Sequence, residues 1–167
     1  MTILDILRYP DARLYQTATA VSAINDECRT LIDDLAETMY AACGIGLAAT
    51  QVDVHKQIIV VDVSESRDRL LAFVNPVILS RDGEASREEG CLSVPGVFAT
   101  IARAQRITVQ ALDREGLPFS LRAEGLLAAC IQHEIDHLRG LVFVDYLSPF
   151  KQGRLRHKLK KQARLSA

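Results

Sequence analysis

The sequence predicts an α+β fold: antiparallel β-sheets packed around a central helix that carries an H-E-x-x-H pattern, with one helix before it and a basic helix at the C-terminal end. Three observations carry this prediction. β-branched runs follow one another between helical segments without regular βαβ alternation. The segment 26–43 has an apolar stripe at helical spacing. Residues 151–167 hold seven Lys or Arg and no acid.

The first helix is predicted from Asp26 to Cys43. Asn25 is its N-cap and Ile24 a staple, and Asp26 and Glu27 favour the positive end of the dipole. Cys28, Leu31, Ile32, Leu35, Met39 and Ala42 fall on one face, and Gly44 is the expected stop. Gln57–Val63 is expected as a buried strand. Leu70–Val74 is a second, ended by Asn75-Pro76, and Val77–Leu79 a third. Ile107–Leu112 and Pro118–Arg122, joined by Asp113-Arg114-Glu115-Gly116, predict a hairpin. A second helix is expected from Glu124 to Leu138 and a third, basic one from Pro149 to Arg164.

The chain has 167 residues, enough for one core and too few for two ordinary ones. With 49% hydrophobic and 25% charged residues it is globular rather than disordered. The net charge of −1 excludes a uniformly basic nucleic-acid binder. Setting the basic tail aside leaves 13 basic and 21 acidic residues, a net −8, so an acidic body carries a cationic end. Met1-Thr2-Ile3-Leu4-Asp5 has no basic n-region, and no apolar run could span a bilayer. A soluble cytoplasmic protein is expected, in which Cys28, Cys43, Cys91 and Cys130 are reduced thiols or metal ligands rather than disulfides.

The second helix contains His133-Glu134-Ile135-Asp136-His137. The two histidines lie about 40° apart on one helix face, with Glu134 about 60° further round. Two imidazoles one turn apart can share a metal, which lowers the pKa of bound water towards ~7. A carboxylate at the Glu134 position can then move the proton. Leu127, Ile131, Ile135 and Leu138 form the opposite, core-facing stripe. Leu126 and Cys130 share the histidine face, and Gln132, Asp136 and Arg139 form the polar sector.

A third protein ligand is needed. The metzincin continuation fails because Phe143 stands at the third histidine position, and Asp145 is the only acid after His137. The ligand is therefore sought upstream. Cys28 is a helix-core residue, Cys43 a helix end, and Cys130 suits a small apolar role. Cys91, in Glu88-Glu89-Gly90-Cys91-Leu92-Ser93, has no apolar periodicity around it and is the candidate. A further segment, Gly44-Ile45-Gly46-Leu47-Ala48-Ala49-Thr50-Gln51, lacks the phosphate-loop patterns and is a small-residue turn. It allows close approach of a ligand, with the Gln51 amide as a candidate oxyanion donor.

Together, Gly44–Gln51, Glu89–Ser93 and Gln132–Leu138 resemble peptide deformylase, whose patterns G-x-G-x-A-A-x-Q, E-G-C-L-S and Q-H-E-x-D-H-L they match in order. The resemblance runs from Tyr9-Pro10-Asp11-Ala12-Arg13-Leu14 to Asp145-Tyr146-Leu147, and the helical C-terminus is similar to one bacterial class. It implies an enzyme that hydrolyses the N-formyl group from formyl-methionine at the start of new polypeptides. It implies Cys91, His133 and His137 as metal ligands, with Glu134 moving the proton. The Gln51 amide and the Leu92 backbone N–H would hold the oxyanion. The peptide would lie along Ile45, Gly46, Glu89 and Gly90, with the methionine side chain near Ile45, Leu126, Cys130 and His133. Fe²⁺ is implied as the native ion, with Zn²⁺, Ni²⁺ or Co²⁺ as substitutes; ligand softness alone favours Zn²⁺.

On this reading residues 1–148 are a single catalytic domain and 149–167 a helix belonging to it. The protein is expected to be a monomer. Lys151, Arg154, Arg156, Lys158, Lys160, Lys161 and Arg164 are either a solvated face, docked by Leu155, Leu159 and Ala163, or a ribosome-binding surface near the nascent-chain exit. Three positions depart from the family. Arg87 stands where relatives are often apolar, Gly96–Phe98 lacks a cation, and Cys43 replaces a polar or acidic residue. Two other functions are compatible with parts of the pattern: a metallo-amidase for another acyl group, and a non-catalytic ribosome-associated module. Glu134 and Gln51 argue against the latter.

Overall fold

The computed structural model describes residues 1–166; residue 167, the last of the segment 149–167, lies outside the described residues. Seven strands and three α-helices follow in order. They are α1 (Asp26–Ala41), β1 (Gly46–Ala48), β2 (Ile58–Val61), β3 (Leu71–Asp82), β4 (Ala85–Cys91), β5 (Val94–Arg103), β6 (Arg106–Leu112), β7 (Pro118–Glu124), α2 (Gly125–Leu138) and α3 (Pro149–Ser166). The antiparallel α+β class is as expected. One five-stranded sheet has the order β1-β2-β3-β6-β7, and β4 pairs with β5 alone.

The strand β2 explains the layering. All four of its residues are buried, because both faces are covered. Ile59 and Val61 join Phe73, Ile107 and Val109 against Ile131, Ile135 and Leu138 of α2. Ile58 and Val60 face the other way, onto Cys28, Ile32, Leu35 and Met39 of α1. The alternation of a strand thus distributes one apolar run between two helices. The side chain of Asn25 caps α1 by accepting from the Cys28 N–H at 3.0 Å. At the other end the left-handed residue is Cys43 (φ 56°) rather than Gly44. The Cys43 N–H donates to Tyr40 O and the Gly44 N–H to Met39 O, a Schellman closure. Ala42, expected on the apolar face, is exposed there.

Two expectations are corrected in the strands. Asn75-Pro76 does not end a strand. β3 runs through it with an irregularity between Val74 and Val77, and Asn75 is left-handed at φ 53°. The Asn75 side chain supplies the lost pairing: its Oδ1 accepts from Val21 N–H at 2.8 Å and its Nδ2 donates to Val21 O at 2.9 Å. The small-residue segment after Gly44 is also not all turn, since Gly46–Ala48 pairs with β2. The hairpin β6–β7 forms in the expected place.

A third apolar cluster lies under β5. It joins Leu7, Tyr9 and Leu14 to Val94, Ile101, Phe143 and Val144, and α3 adds buried Leu155 and partly buried Leu159. Ala163, expected to extend that seam, is exposed.

Candidate metal centre

Side chains from the end of β4 and from α2 meet to assemble the site. Cys91 is the last residue of β4, before the tight turn Leu92-Ser93 into β5. His133 and His137 project from α2 towards it. One ligand atom from each of Cys91, His133 and His137 lies within 4.8 Å of the other two. Cys91 Sγ is 3.4 Å from His137 Nε2. His133 and His137 stand edge to face, with ring centroids 5.0 Å apart. One thiol and two imidazoles at this spacing fit a single divalent ion of borderline softness.

The charges around the donors are arranged in depth. His133 donates from Nδ1 to Glu89 Oε1 at 2.9 Å. The same carboxylate receives two bonds from Arg103, at 2.5 and 3.0 Å. Arg103 also donates to Asp136 at 2.9 Å, and Tyr146 O–H donates to Asp136 at 2.7 Å. Burial opposes the ionised form of Glu89, but the bonds from His133 and Arg103 outweigh it and hold its pKa below the ordinary value. Burial likewise opposes the charged form of His133, yet Cys91 and Glu89 hold it well above the usual range. His137 is pushed well below that range by burial, with His133 and Arg103 adding to the effect. Ligation requires a free Nε2 on both rings, so a bound ion would displace the second proton of His133 while its Nδ1–H stays on Glu89.

Glu134 is 4% exposed, and its Oε1 lies 4.0 Å from His133 Nε2. Burial pushes its pKa up to about 7, against the opposing pull of His133 and Arg103. Its Oε2 is buried with no protein partner. A buried carboxyl poised near neutrality, with an open acceptor beside three ligand atoms, suits proton transfer to and from a bound water. The Gln51 amide is held from behind: Oε1 accepts from the Ala48 N–H at 2.9 Å. Its Nε2 donates to Ser93 Oγ at 3.0 Å and reaches Cys91 Sγ at 3.6 Å.

A cleft of ≈ 920 Å³ opens onto these groups. Every residue implied as a substrate contact lines it: Ile45, Gly46, Glu89, Gly90, Leu126 and Cys130, together with Leu92, His133 and Glu134. Leu126 and Cys130 share the histidine side of α2, as its helical spacing predicts. Gly46 is required by close approach. A Cβ there would lie 2.7 Å from Glu134 Oε1 and 2.8 Å from Cys130 Sγ.

The three departures also sit on this cleft. Arg87 lines it, Cys43 stands exposed at its mouth, and Gly96–Phe98 form one side without a cation. Arg8, from the N-terminal segment, lines the same cleft.

Sequence reasoning missed the support behind the ligands. Gln132 and Asp136 belong to the polar sector read with Arg139, but that sector is not a solvent face. Instead Gln132 is buried, accepting from Ala104 N–H at 3.1 Å and donating to Ala104 O at 2.9 Å, and Asp136 meets Arg103. Ser93 closes the Glu89–Ser93 pattern without a role attached to it, and Arg103 carried no signal of its own. The only clue was that Glu89 and Asp136 each lie within three residues of a ligand.

Residues 3–153 match the family described as Polypeptide deformylase. The chain is 62% identical over 164 residues to peptide deformylase 2 of Nitrosomonas europaea, covering 98% of this chain and 89% of that one. Among solved structures it is similar to a peptide deformylase from Legionella pneumophila, with a TM-score of 0.93 and 48% identity over 99% of this chain and 98% of that one. It is also similar to peptide deformylase from Ehrlichia chaffeensis in complex with actinonin, with a TM-score of 0.93 and 44% identity over 97% and 98%.

Proposed function

The chain belongs to the polypeptide deformylase family, and from that premise we propose how its own residues carry out the reaction. It is a metal-dependent hydrolase that removes the N-formyl group from newly made polypeptides and releases formate. The observation that carries the reading is the clustering of Cys91, His133 and His137 ligand atoms within 4.8 Å, with Gln51 Nε2 3.6 Å from Cys91 Sγ, beside a cleft lined by Cys91, His133 and Glu134.

Cys91, His133 and His137 would hold the ion. A bound divalent metal supplies water activation and a Lewis acid for the formyl oxygen. We take Fe²⁺ as native, with Zn²⁺, Ni²⁺ or Co²⁺ as substitutes. Water adds to the formyl carbon, the C–N bond breaks, and formate leaves. Glu134 takes the proton that water gives up and passes it to the departing amine nitrogen. The Gln51 Nε2–H and the Leu92 backbone N–H donate to the oxygen on which negative charge develops. The peptide lies extended along Ile45-Gly46 and Glu89-Gly90. Its first side chain enters between Ile45, Leu126 and Cys130.

The same reading takes residues 1–148 as one catalytic domain with 149–167 part of it, and the buried Leu155 supports this. No helix among the described residues is long and apolar enough to cross a membrane. A cytoplasmic monomer acting on formyl-methionyl nascent chains is the setting we propose. Lys151, Arg154, Arg156, Lys158, Lys160, Lys161 and Arg164 are all exposed on α3. They would contact ribosomal phosphates and keep the enzyme where its substrate emerges.

The test is anaerobic formate release from formyl-Met-Ala, with metal supplied at one ion per chain. Turnover that depends on the metal, and failure to release acetate from acetyl-Met-Ala, are the expected results. Equal release of acetate would make it a different amidase.

A further inference from the structure

The seat of the first side chain is not wholly apolar. Arg87 sits on β4 two residues before Glu89, so both side chains point to the α2 side of that strand. Its guanidinium lies against the start of α2: a Cβ on Gly125 would be 3.4 Å from Arg87 Nη2. It shares the cleft lining with Leu126, Ala129, Cys130 and His133. Among the described residues the Arg87 side chain has no ion pair or hydrogen bond, its backbone alone pairing with β5. Five donor N–H groups therefore stand at the far end of an otherwise apolar seat.

The distances match a particular side chain. From His133, where the reacting carbon must lie, to Gly125 is eight residues, ~12 Å of helix. From the formyl carbon to the oxygen of a methionine sulfoxide is six bonds, ~7 Å when extended. A hydrogen bond of ~2.9 Å extends that reach to ~10 Å, within ~2 Å of the helix span, while Arg87 Nη2 itself stands 3.4 Å off the Gly125 Cβ position. A thioether offers Arg87 almost nothing, whereas a sulfoxide offers a strong acceptor. An apolar wall would leave the sulfoxide oxygen desolvated and unpaired, which is costly.

We propose that Arg87 is a specificity-determining residue that lets this enzyme deformylate chains whose initiating methionine has been oxidised to the sulfoxide. The proposal rests on the reading of the cleft given above. The chemistry at the formyl group is unchanged, because water still adds across the formyl C–N bond and formate leaves.

The test compares kcat/KM for formyl-Met(O)-Ala with that for formyl-norleucine-Ala, in the metal-loaded wild type, in Arg87→Met and in Arg87→Lys. Met keeps the length and removes the donors, while Lys restores one donor group. The sulfoxide-to-norleucine ratio should fall at least ~10-fold in Arg87→Met and recover in part in Arg87→Lys. An unchanged ratio in both variants overturns the role of Arg87. Formyl-Gly-Ala serves as a separate control. If the wild type turns it over as fast as formyl-norleucine-Ala, the side-chain seat itself is misplaced, whatever the Arg87 variants do.

Discussion

His133 donates from Nδ1 to Glu89 Oε1 at 2.9 Å, which fixes the ring so that Nε2 is the nitrogen left for the metal. The carboxylate is itself clamped by Arg103, so the ligand's orientation is set two residues deep. Partners of this kind govern metal affinity as well as geometry.

Replacing Glu89 with Gln keeps the size and removes the charge that holds the ring. Metal affinity, measured by competition with a chelator, should weaken by ~10–100-fold. Unchanged affinity would mean that Glu89 does not position His133.

Gln51 is held by the Ala48 N–H and points Nε2 towards Cys91 and Ser93. The change Gln51→Leu should lower kcat by ~10²–10³ through the missing oxyanion donor. A rise in KM with kcat intact would make it a binding residue instead.

How much of this was legible in the sequence depends on what each residue contacts. The α1 cap, the β6–β7 hairpin and the two histidines rest on local spacing, and local spacing predicted them. β4 and β5 were not recognised because their inward positions include charged residues. Arg87 and Glu89 face the helix while Ser86 and Glu88 face solvent, so both faces are polar and the usual apolar alternation is missing. Pro95 and Gly96 further disguise the start of β5. Arg103 is charged and yet 9% exposed, because Glu89 and Asp136 neutralise it from two other elements. Nothing within its own segment announces that pairing, so only the assembled fold reveals it.

Asp62 ties the cleft loop to α1. Its N–H donates to Ile45 O at 2.8 Å, and its carboxylate accepts from Tyr40 O–H at 2.6 Å and from Ser64 O–H at 2.6 Å. Burial opposes its ionisation, but the bonds from Ser64, Tyr40 and Arg69 N–H outweigh it and hold the pKa at about 2. Because the folded pKa lies below the unfolded value, its contribution is complete above pH ~4 and is lost as pH falls towards ~2. Asp62→Ala should cost about 1–3 kcal/mol at neutral pH. The gap in urea midpoint between wild type and variant should narrow through that acid window. A gap independent of pH would contradict the assignment.

On α3, Lys158, Lys160 and Lys161 are exposed, whereas Leu155 and Leu159 dock the helix. Changing the three lysines to Gln leaves the docking seam in place. Co-sedimentation with ribosomes should weaken and its salt dependence should become shallower, by a slope of about 1 for each phosphate no longer neutralised. Thermal stability and turnover of a short formyl peptide should stay within error. Undiminished ribosome binding would remove α3 from that role.

The central claim is that the buried Glu134 carboxyl moves the proton beside an ion held by Cys91, His133 and His137. The most direct measurement is metal content and formate release on the same sample of Glu134→Gln. The variant should retain one metal per chain and lose at least ~10²-fold in kcat. A metal-loaded variant turning over formyl-Met-Ala near the wild-type rate would contradict the account.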